Sequence, residues 1–418
     1  MTRFIMILGV LSLLMDWYVY QGIKRLTAGW KSVGLRKTVR TLYWVFFIGF
    51  ILGFAYAIYL RFSEDKSGAF VQWFINAFLT FFVTKLVFML VLLAEDIYRV
   101  IVAATRLATR SGKRAGATKS LFPQRRKVVS QLGLVLAGIP FFSFVYGITK
   151  GKYDYRVHRQ TLYFDDLPEA FNGFTITQLS DVHSGSFDDA GEVQRGIELA
   201  MAQQSDLYVF TGDLVNDHAT EIVPYKEMFR RIKAPFGQFS ILGNHDYGMY
   251  AKWHSDEERE NNMTDLQQHH ADMDYRLLLD EHVKLEKDGQ EIVLLGVENW
   301  GKGFIERGDL NKALQGVDAN AFKILLSHDP SHWDMVVKNH PTHIHLTLSG
   351  HTHGMQFGVE TPLFRWSPVQ YRYKNWAGVA QENNKMLYVN RGFGFIGFSG
   401  RVGIWPEITV LELRKGRG

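Results

Sequence analysis

Apolar positions along this chain follow two different rhythms. Up to residue 149 they gather into four long runs: "FIMILGVLSLLMDWYVYQ" (4–21), "LYWVFFIGFILGFAYAIYL" (42–60), "AFVQWFINAFLTFFVTKLVFMLVLLA" (69–94) and "VVSQLGLVLAGIPFFSFVYGI" (128–148). Each is long enough to cross a hydrocarbon core, which takes about 20 helical residues. Buried helices of soluble domains rarely lack charge on every face over such lengths. The pattern predicts a transmembrane domain over 1–149 with four helices, then a linker over 150–170. From 171 to 418 the period shortens, and β-rich runs alternate with amphipathic segments. Strands are predicted at 173–179, 206–210, 237–242, 291–297, 322–327, 342–348, 385–390 and 407–413, and helices at 191–204 and 221–233. The second part is an α/β domain.

Charge orients the first part. Residues 24–40 carry six Lys or Arg and no acid, residues 95–127 carry nine against Glu95 and Asp96, and the loop 61–68 is balanced. Cytoplasmic loops carry the positive excess, so both basic loops are expected inside and the C-terminal domain outside. An integral membrane protein is therefore expected, with its C-terminal domain extracytoplasmic (periplasmic) and membrane lipids as partners. Arg125-Arg126 ahead of the fourth run reads either as a twin-arginine export signal or as an ordinary basic flank. No small-residue cleavage site closes that run, so an uncleaved anchor is expected.

The net charge of +5 is misleading as a whole-chain figure, because residues 128–418 hold 28 basic and 37 acidic residues. An acidic outer domain argues against nucleic acid as a partner. The chain has no cysteine, which fits an envelope compartment and excludes disulfides and thiolate-bound zinc. Two ionisable residues, Asp16 and Lys85, lie inside predicted spans. They could pair across helices or snorkel separately to the interface.

The chemistry sits where strands stop. "LSDVHSG" places Asp181 and His183 after the first strand, "FTGDLVND" places Asp213 after the second, and "LGNHDYG" places Asn244, His245 and Asp246 after the third. "LLSHDP" adds His328, and "LSGHTHG" adds His351 and His353. Strand ends with glycine turns are where open α/β sheets build sites. Carboxylates and imidazoles crowded into one crevice call for a compensating cation.

This ordered set resembles the calcineurin-like metallophosphoesterases, and "GHTHGMQ", "VNRGFG" and "RVGIWPEITVLELR" look like landmarks of their bacterial membrane-attached branch. The resemblance implies a mixed β sandwich flanked by helices over 171–418, preceded by the α-helical membrane domain. It implies two divalent metal ions, one held by Asp181, His183, Asp213 and His353, the other by Asp213, Asn244, His328 and His351. The donor types suit Mn, Fe or Zn, with Mg or Ni as further options. A hydroxide bridging the metals would attack a phosphomonoester or phosphodiester. By the same resemblance His245 would be the general acid, with Asp246 fixing its tautomer, and Asn244 would also meet the substrate. Met355 departs from the branch, which often has glycine there.

Arg391 in "VNRGFG" could bind phosphate or sit in an ion pair. His254, His269 and His270 lie in a polar stretch read as a solvated helix, not as ligands. The preceding "YGMYAKW" begins a segment, 249–275, that could cap the site or pack on the sandwich. The substrate expected is a phosphate ester, with lipid-linked esters among the options. Two rival functions use the same fold. One is a pyrophosphatase of nucleotide-linked lipid precursors, which needs a cytoplasmic site. The other is a non-catalytic membrane receptor, which would tolerate a missing ligand.

Overall fold

The computed structural model describes residues 2–62, 68–108 and 123–417 and divides into two compact units, Met1–Tyr146 and Gly147–Gly418. The first unit contains the helices α1 (Thr2–Thr27), α2 (Val33–Phe62), α3 (Gly68–Ala108) and α4 (Pro123–Thr149), the last of which runs into the second unit. Among the described residues, Val33–Ala57, Phe70–Thr105 and Lys127–Thr149 are long and apolar enough to cross a membrane. The predicted run 4–21 lies in α1, a helix of 26 residues outside that set. Residues 63–67 and 109–122, with the side chains of Arg125 and Arg126, lie outside what is described, and so do the loop charges there.

Small residues let these helices approach closely. A β-carbon on Gly22 would meet Leu92 at 2.7 Å and Phe88 at 2.8 Å, and one on Gly53 would meet Phe74 at 2.7 Å. Of the two readings open for Asp16 and Lys85, the structure shows the ion pair: Lys85 Nζ lies 2.6 Å from Asp16 Oδ1, joining α1 to α3. Tyr43 Oη on α2 donates to the same oxygen at 2.7 Å. Removing one member of a buried pair strands the other charge. Asp16→Lys combined with Lys85→Asp is therefore expected to be more stable in detergent than the sum of the single changes, by roughly 0.5–3 kcal/mol of coupling. Simple additivity in thermal denaturation would show that the pair contributes nothing.

The second unit is built on two six-stranded sheets. The first comprises β1 (Arg156–Phe164), β2 (Thr175–Leu179), β3 (Leu207–Thr211), β4 (Gln238–Ile241), β5 (Arg276–Leu277) and β14 (Glu407–Lys415), in the order β1-β14-β2-β3-β4-β5. The second comprises β6 (Glu281–Lys287), β7 (Gln290–Gly296), β8 (Phe322–Leu326), β9 (Leu346–Ser349), β12 (Gly378–Glu382) and β13 (Lys385–Val389), in the order β12-β13-β9-β8-β7-β6. A short hairpin, β10 (Val359–Glu360) and β11 (Arg365–Trp366), stands apart from both. Both sheets are mixed. β2, β3 and β4 run parallel while β14 pairs antiparallel to β2, and β7, β8, β9 and β13 run parallel between two antiparallel edges.

Alternation along the strands makes the layers. Ile176, Leu207, Val209 and Leu411 of one sheet meet Ile292, Leu294, Ile324 and Leu346 of the other in a buried core. The opposite face of the first sheet, through Tyr208 and Phe210, buries Val193 and Ile197 of α5 (Ala190–Met201), Phe229 of α6 (Lys226–Arg230) and Leu266 of α7 (Asp256–Asp272). The opposite face of the second sheet, through Leu295 and Leu325, buries Trp333 and Val337. The expected helix-flanked mixed sandwich is thus present.

Several boundaries differ from expectation. Residues 156–164, read as linker, form β1, an edge strand paired in parallel along β14. Its polar, one-sided pattern is what an edge strand with a solvent face looks like. The run 342–348 is strand only from Leu346, because the backbone N–H of Lys323 donates to His345 Nδ1 at 2.9 Å just before the ladder begins. The helix expected at 221–233 shortens to Lys226–Arg230.

Candidate metal centre

The carboxyl ends of β2, β3, β4, β8 and β9 converge and bring the predicted residues together. Two groups of ligand-type atoms result, Asp181 with His183 and His353, and Asp213 with His328 and His351. Each group's donor atoms lie within 4.8 Å of one another. Asp213 Oδ2 stands between the groups, 3.5 Å from His183 Nε2 and 3.1 Å from His328 Nε2. Asn244 Oδ1 lies 2.8 Å from His351 Nδ1, so Asn244 joins the second group.

The backbone at these positions is unusual. Asp181, His183, Asp213, His351 and His353 all have φ between +48° and +70°. Non-glycine residues seldom adopt this left-handed region, and clusters of them mark functional sites. Close approach also demands the flanking glycines. A β-carbon on Gly350 would lie 2.2 Å from Asp181 Oδ2, and one on Gly243 would lie 2.2 Å from Asp213 Oδ1.

The donors fit metal ions. His183 Nε2, His328 Nε2 and His353 Nε2 are buried without a hydrogen-bond partner, an arrangement that costs energy unless a cation completes it. His328 Nδ1 donates to Thr211 O at 2.7 Å, which leaves Nε2 as the lone-pair nitrogen. Burial alone would raise the Asp213 carboxyl, but His328, His245 and His183 outweigh it and hold it well below the ordinary range. Burial lowers His328, yet Asp213 drives its proton affinity up to about 10. A carboxylate that draws a proton so strongly onto a buried imidazole would draw a metal cation into the same place. Burial pushes His183 down to about 3 and His351 down to about 4, keeping these rings neutral as ligands must be.

Some predicted contacts are replaced by others. Asp246 does not orient His245. Its Oδ1 accepts from Leu214 N (2.8 Å) and its Oδ2 from Asp213 N (2.9 Å) and Gly243 N (2.8 Å), so it ties the β3 and β4 loops together. The tautomer of His245 is set by a backbone carbonyl instead: Nδ1 lies 2.8 Å from Asn216 O. Arg391 does not face the crevice with a free guanidinium. It is 4% exposed and held by Glu407 Oε2 at 2.6 Å and by both oxygens of Glu360, so the ion pair wins over phosphate binding.

The segment 249–275 divides its roles. Tyr250 reaches the site, its ring 4.5 Å from that of His245 and its Oη accepting from Asn244 Nδ2 at 2.9 Å, whereas α7 packs on the sandwich through Leu266 and His270. His254 is exposed and His270 sits beside Phe210, and neither joins a ligand group among the described residues. Met355 takes φ +55° at the exposed rim, a conformation glycine would adopt without cost.

Three supporting residues were not read from the sequence. His351 Nε2 is backed by Asp329 Oδ2 at 3.3 Å and Tyr373 Oη at 2.9 Å, and Tyr373 donates to Asp329 at 3.1 Å. Arg401, fully buried, lies behind His353 and donates to Gly392 O and Arg391 O. Asp329 follows His328 directly in "SHDP", the one signal that could have found it.

The comparisons with known proteins agree with this geometry. The family profile described as "Probable Calcineurin-like phosphoesterase, transmembrane domain" matches residues 2–152, and "Calcineurin-like phosphoesterase" matches residues 174–355. The uncharacterized metallophosphoesterase YkuE of Bacillus subtilis (strain 168) is 30% identical over 264 residues, 60% of this chain and 82% of that protein. YkoQ of the same organism, also an uncharacterized metallophosphoesterase, is 24% identical over 67% of this chain and 98% of its own length. A transmembrane protein with metallophosphoesterase domain from Danio rerio is 26% identical over 65% of this chain and 60% of its own. The chain belongs to the calcineurin-like metallophosphoesterases and is an integral membrane protein with a metal-dependent phosphoesterase domain.

Proposed function

We propose that this protein hydrolyses a phosphomonoester or phosphodiester at the extracytoplasmic face of a membrane that it crosses four times, using two divalent metal ions. The observation that carries the reading is the pair of buried donor groups meeting at Asp213, with Nε2 of His183 and His353 in one and of His328 in the other left without a hydrogen bond. Asp181, His183, Asp213 and His353 would hold one ion, and Asp213, Asn244, His328 and His351 the other. When bound, such a pair supplies positive charge for the phosphoryl oxygens and acidifies water to a nucleophile. Asp329 and Tyr373 orient His351 so that its Nδ1 faces Asn244. His245, its Nδ1 committed to Asn216 O, offers Nε2 for protonating the leaving oxygen.

The test is hydrolysis of a panel of soluble mono- and diesters by the detergent-purified protein, with metal content measured by mass spectrometry. His245→Ala is expected to keep its metals and lose about 10²–10⁴-fold in turnover. Loss of metal in that variant would overturn the proton-donor role. The face of the membrane is read separately. In this chain without cysteine, Ser255→Cys is expected to react with an impermeant maleimide in intact cells and Ser111→Cys to be shielded. The reverse pattern would place the site in the cytoplasm and favour a nucleotide-linked substrate.

A further inference from the structure

The β10–β11 hairpin follows directly from the metal-site loop and projects apolar side chains that nothing in its unit covers. Its strands are held by two pairings, Val359 with Trp366 and Glu360 with Arg365. Thr361 closes the turn, its N–H donating to Phe364 O at 2.8 Å. At the tip Leu363 is 99% exposed and Phe364 58%, and nearby Tyr371 is 80% exposed. The turn is therefore built, yet it presents side chains that water disfavours.

Position says what covers them. The root of the hairpin is bound to the 400–402 loop, where Gly358 N donates to Val402 O at 2.9 Å and Val402 N donates to Gln356 O at 2.8 Å. The same loop receives the last turn of α4, since Arg401 N donates to Gly147 O at 3.2 Å and a β-carbon on Gly147 would strike Arg401 O at 2.4 Å. The hairpin is thus anchored to the loop that meets the end of a membrane-spanning helix. Its surroundings are cationic as well. Arg365, Arg372 and Lys374 are exposed, and the single acid in 359–374, Glu360, is engaged by Arg391. An apolar tip with exposed Arg365 next to it in the chain, and exposed Arg372 and Lys374 a few residues on, suits the headgroup boundary of an anionic bilayer. A protein partner would ordinarily need 20–30 residues a side, about ten times what this tip presents.

We propose that the β10–β11 hairpin docks on the lipid bilayer, with Leu363 and Phe364 at the acyl boundary and the three cations against anionic headgroups. Because the hairpin begins six residues after His353, docking holds the rim of the metal centre at headgroup level. Resting on the phosphoesterase reading, this names the substrate class as phosphate esters carried by membrane lipids.

The full-length protein is to be reconstituted in phosphatidylglycerol–phosphatidylethanolamine vesicles whose acyl chains carry a spin-label quencher. Leu363→Cys bearing an environment-sensitive fluorophore is expected to be quenched several-fold more than the same fluorophore on Glu257→Cys of α7. Replacing phosphatidylglycerol by phosphatidylcholine should weaken that quenching. Equal quenching at the two positions overturns the proposal. So does a fluorophore that is shielded from water but untouched by the lipid quencher, which would mean that a protein surface covers the tip. Leu363 is almost wholly exposed, so its replacement leaves folding intact. The measurement reads the surface and not turnover, so it fails independently of the hydrolysis panel.

Discussion

Asp213→Asn is expected to leave the purified protein nearly free of metal and to lower ester hydrolysis by about 10²–10³-fold or more, the scale of removing one electrostatic stabiliser. The geometry makes this residue the most sensitive position in the site. One of its oxygens stands 3.1 Å from His328 and 3.5 Å from His183, which belong to different donor groups, and the other accepts from His245 N at 2.8 Å. Asparagine keeps the shape and can still accept from His245 N, so the loop should hold. What disappears is the negative charge that both groups share. Metal stoichiometry by mass spectrometry separates this from His245→Ala, in which the ions should remain. Full metal occupancy in Asp213→Asn would show that the two groups do not depend on a common carboxylate.

The candidate donor set was legible because each member ends an apolar run. "SDVH", "TGD", "GNHD", "SHD" and "GHTHG" all follow strands whose periodicity can be read without a structure, and local chain geometry then points them into one crevice. The residues behind the donors were not legible. Tyr373 supports His351 from 22 positions downstream and Asp329 from 22 positions upstream, and only tertiary packing brings them there. Asp246 shows where the resemblance misleads. It neighbours His245 in sequence, but its buried carboxylate turns toward the backbone N–H groups of residues 213–215, which no sequence spacing announces.

Short or edge elements escaped for a related reason. β1 has a solvent-facing side, and its charged residues resemble a linker until β14, some 250 residues later, supplies the pairing. The β10–β11 strands are two residues long, below any periodicity. In the membrane part, hydropathy located the helices and Asp16 and Lys85 stood out as costly. Whether they meet depends on the rotation of α1 against α3, which close packing around Gly22 decides.

Arg391 carries the second large effect, and it concerns stability. Glu407 is fully buried, and burial alone would raise its carboxyl. Arg391 at 2.6 Å, with help from His158, Thr409 and Tyr388, instead holds it down at about 2. A folded value below the ordinary 4.5 means the stabilisation is present above that pH and is lost as pH falls toward 2. Arg391→Gln leaves an unpaired carboxylate in the interior, and breaking a buried pair from one side costs about 3–5 kcal/mol. The denaturation midpoint of the variant should therefore drop sharply at neutral pH. Arg391→Gln combined with Glu407→Gln should recover much of the loss, because no charge is then stranded between Tyr388 and Thr409. If Arg391→Gln instead kept the midpoint and raised KM for the ester, the arginine would belong to the substrate and not to Glu407.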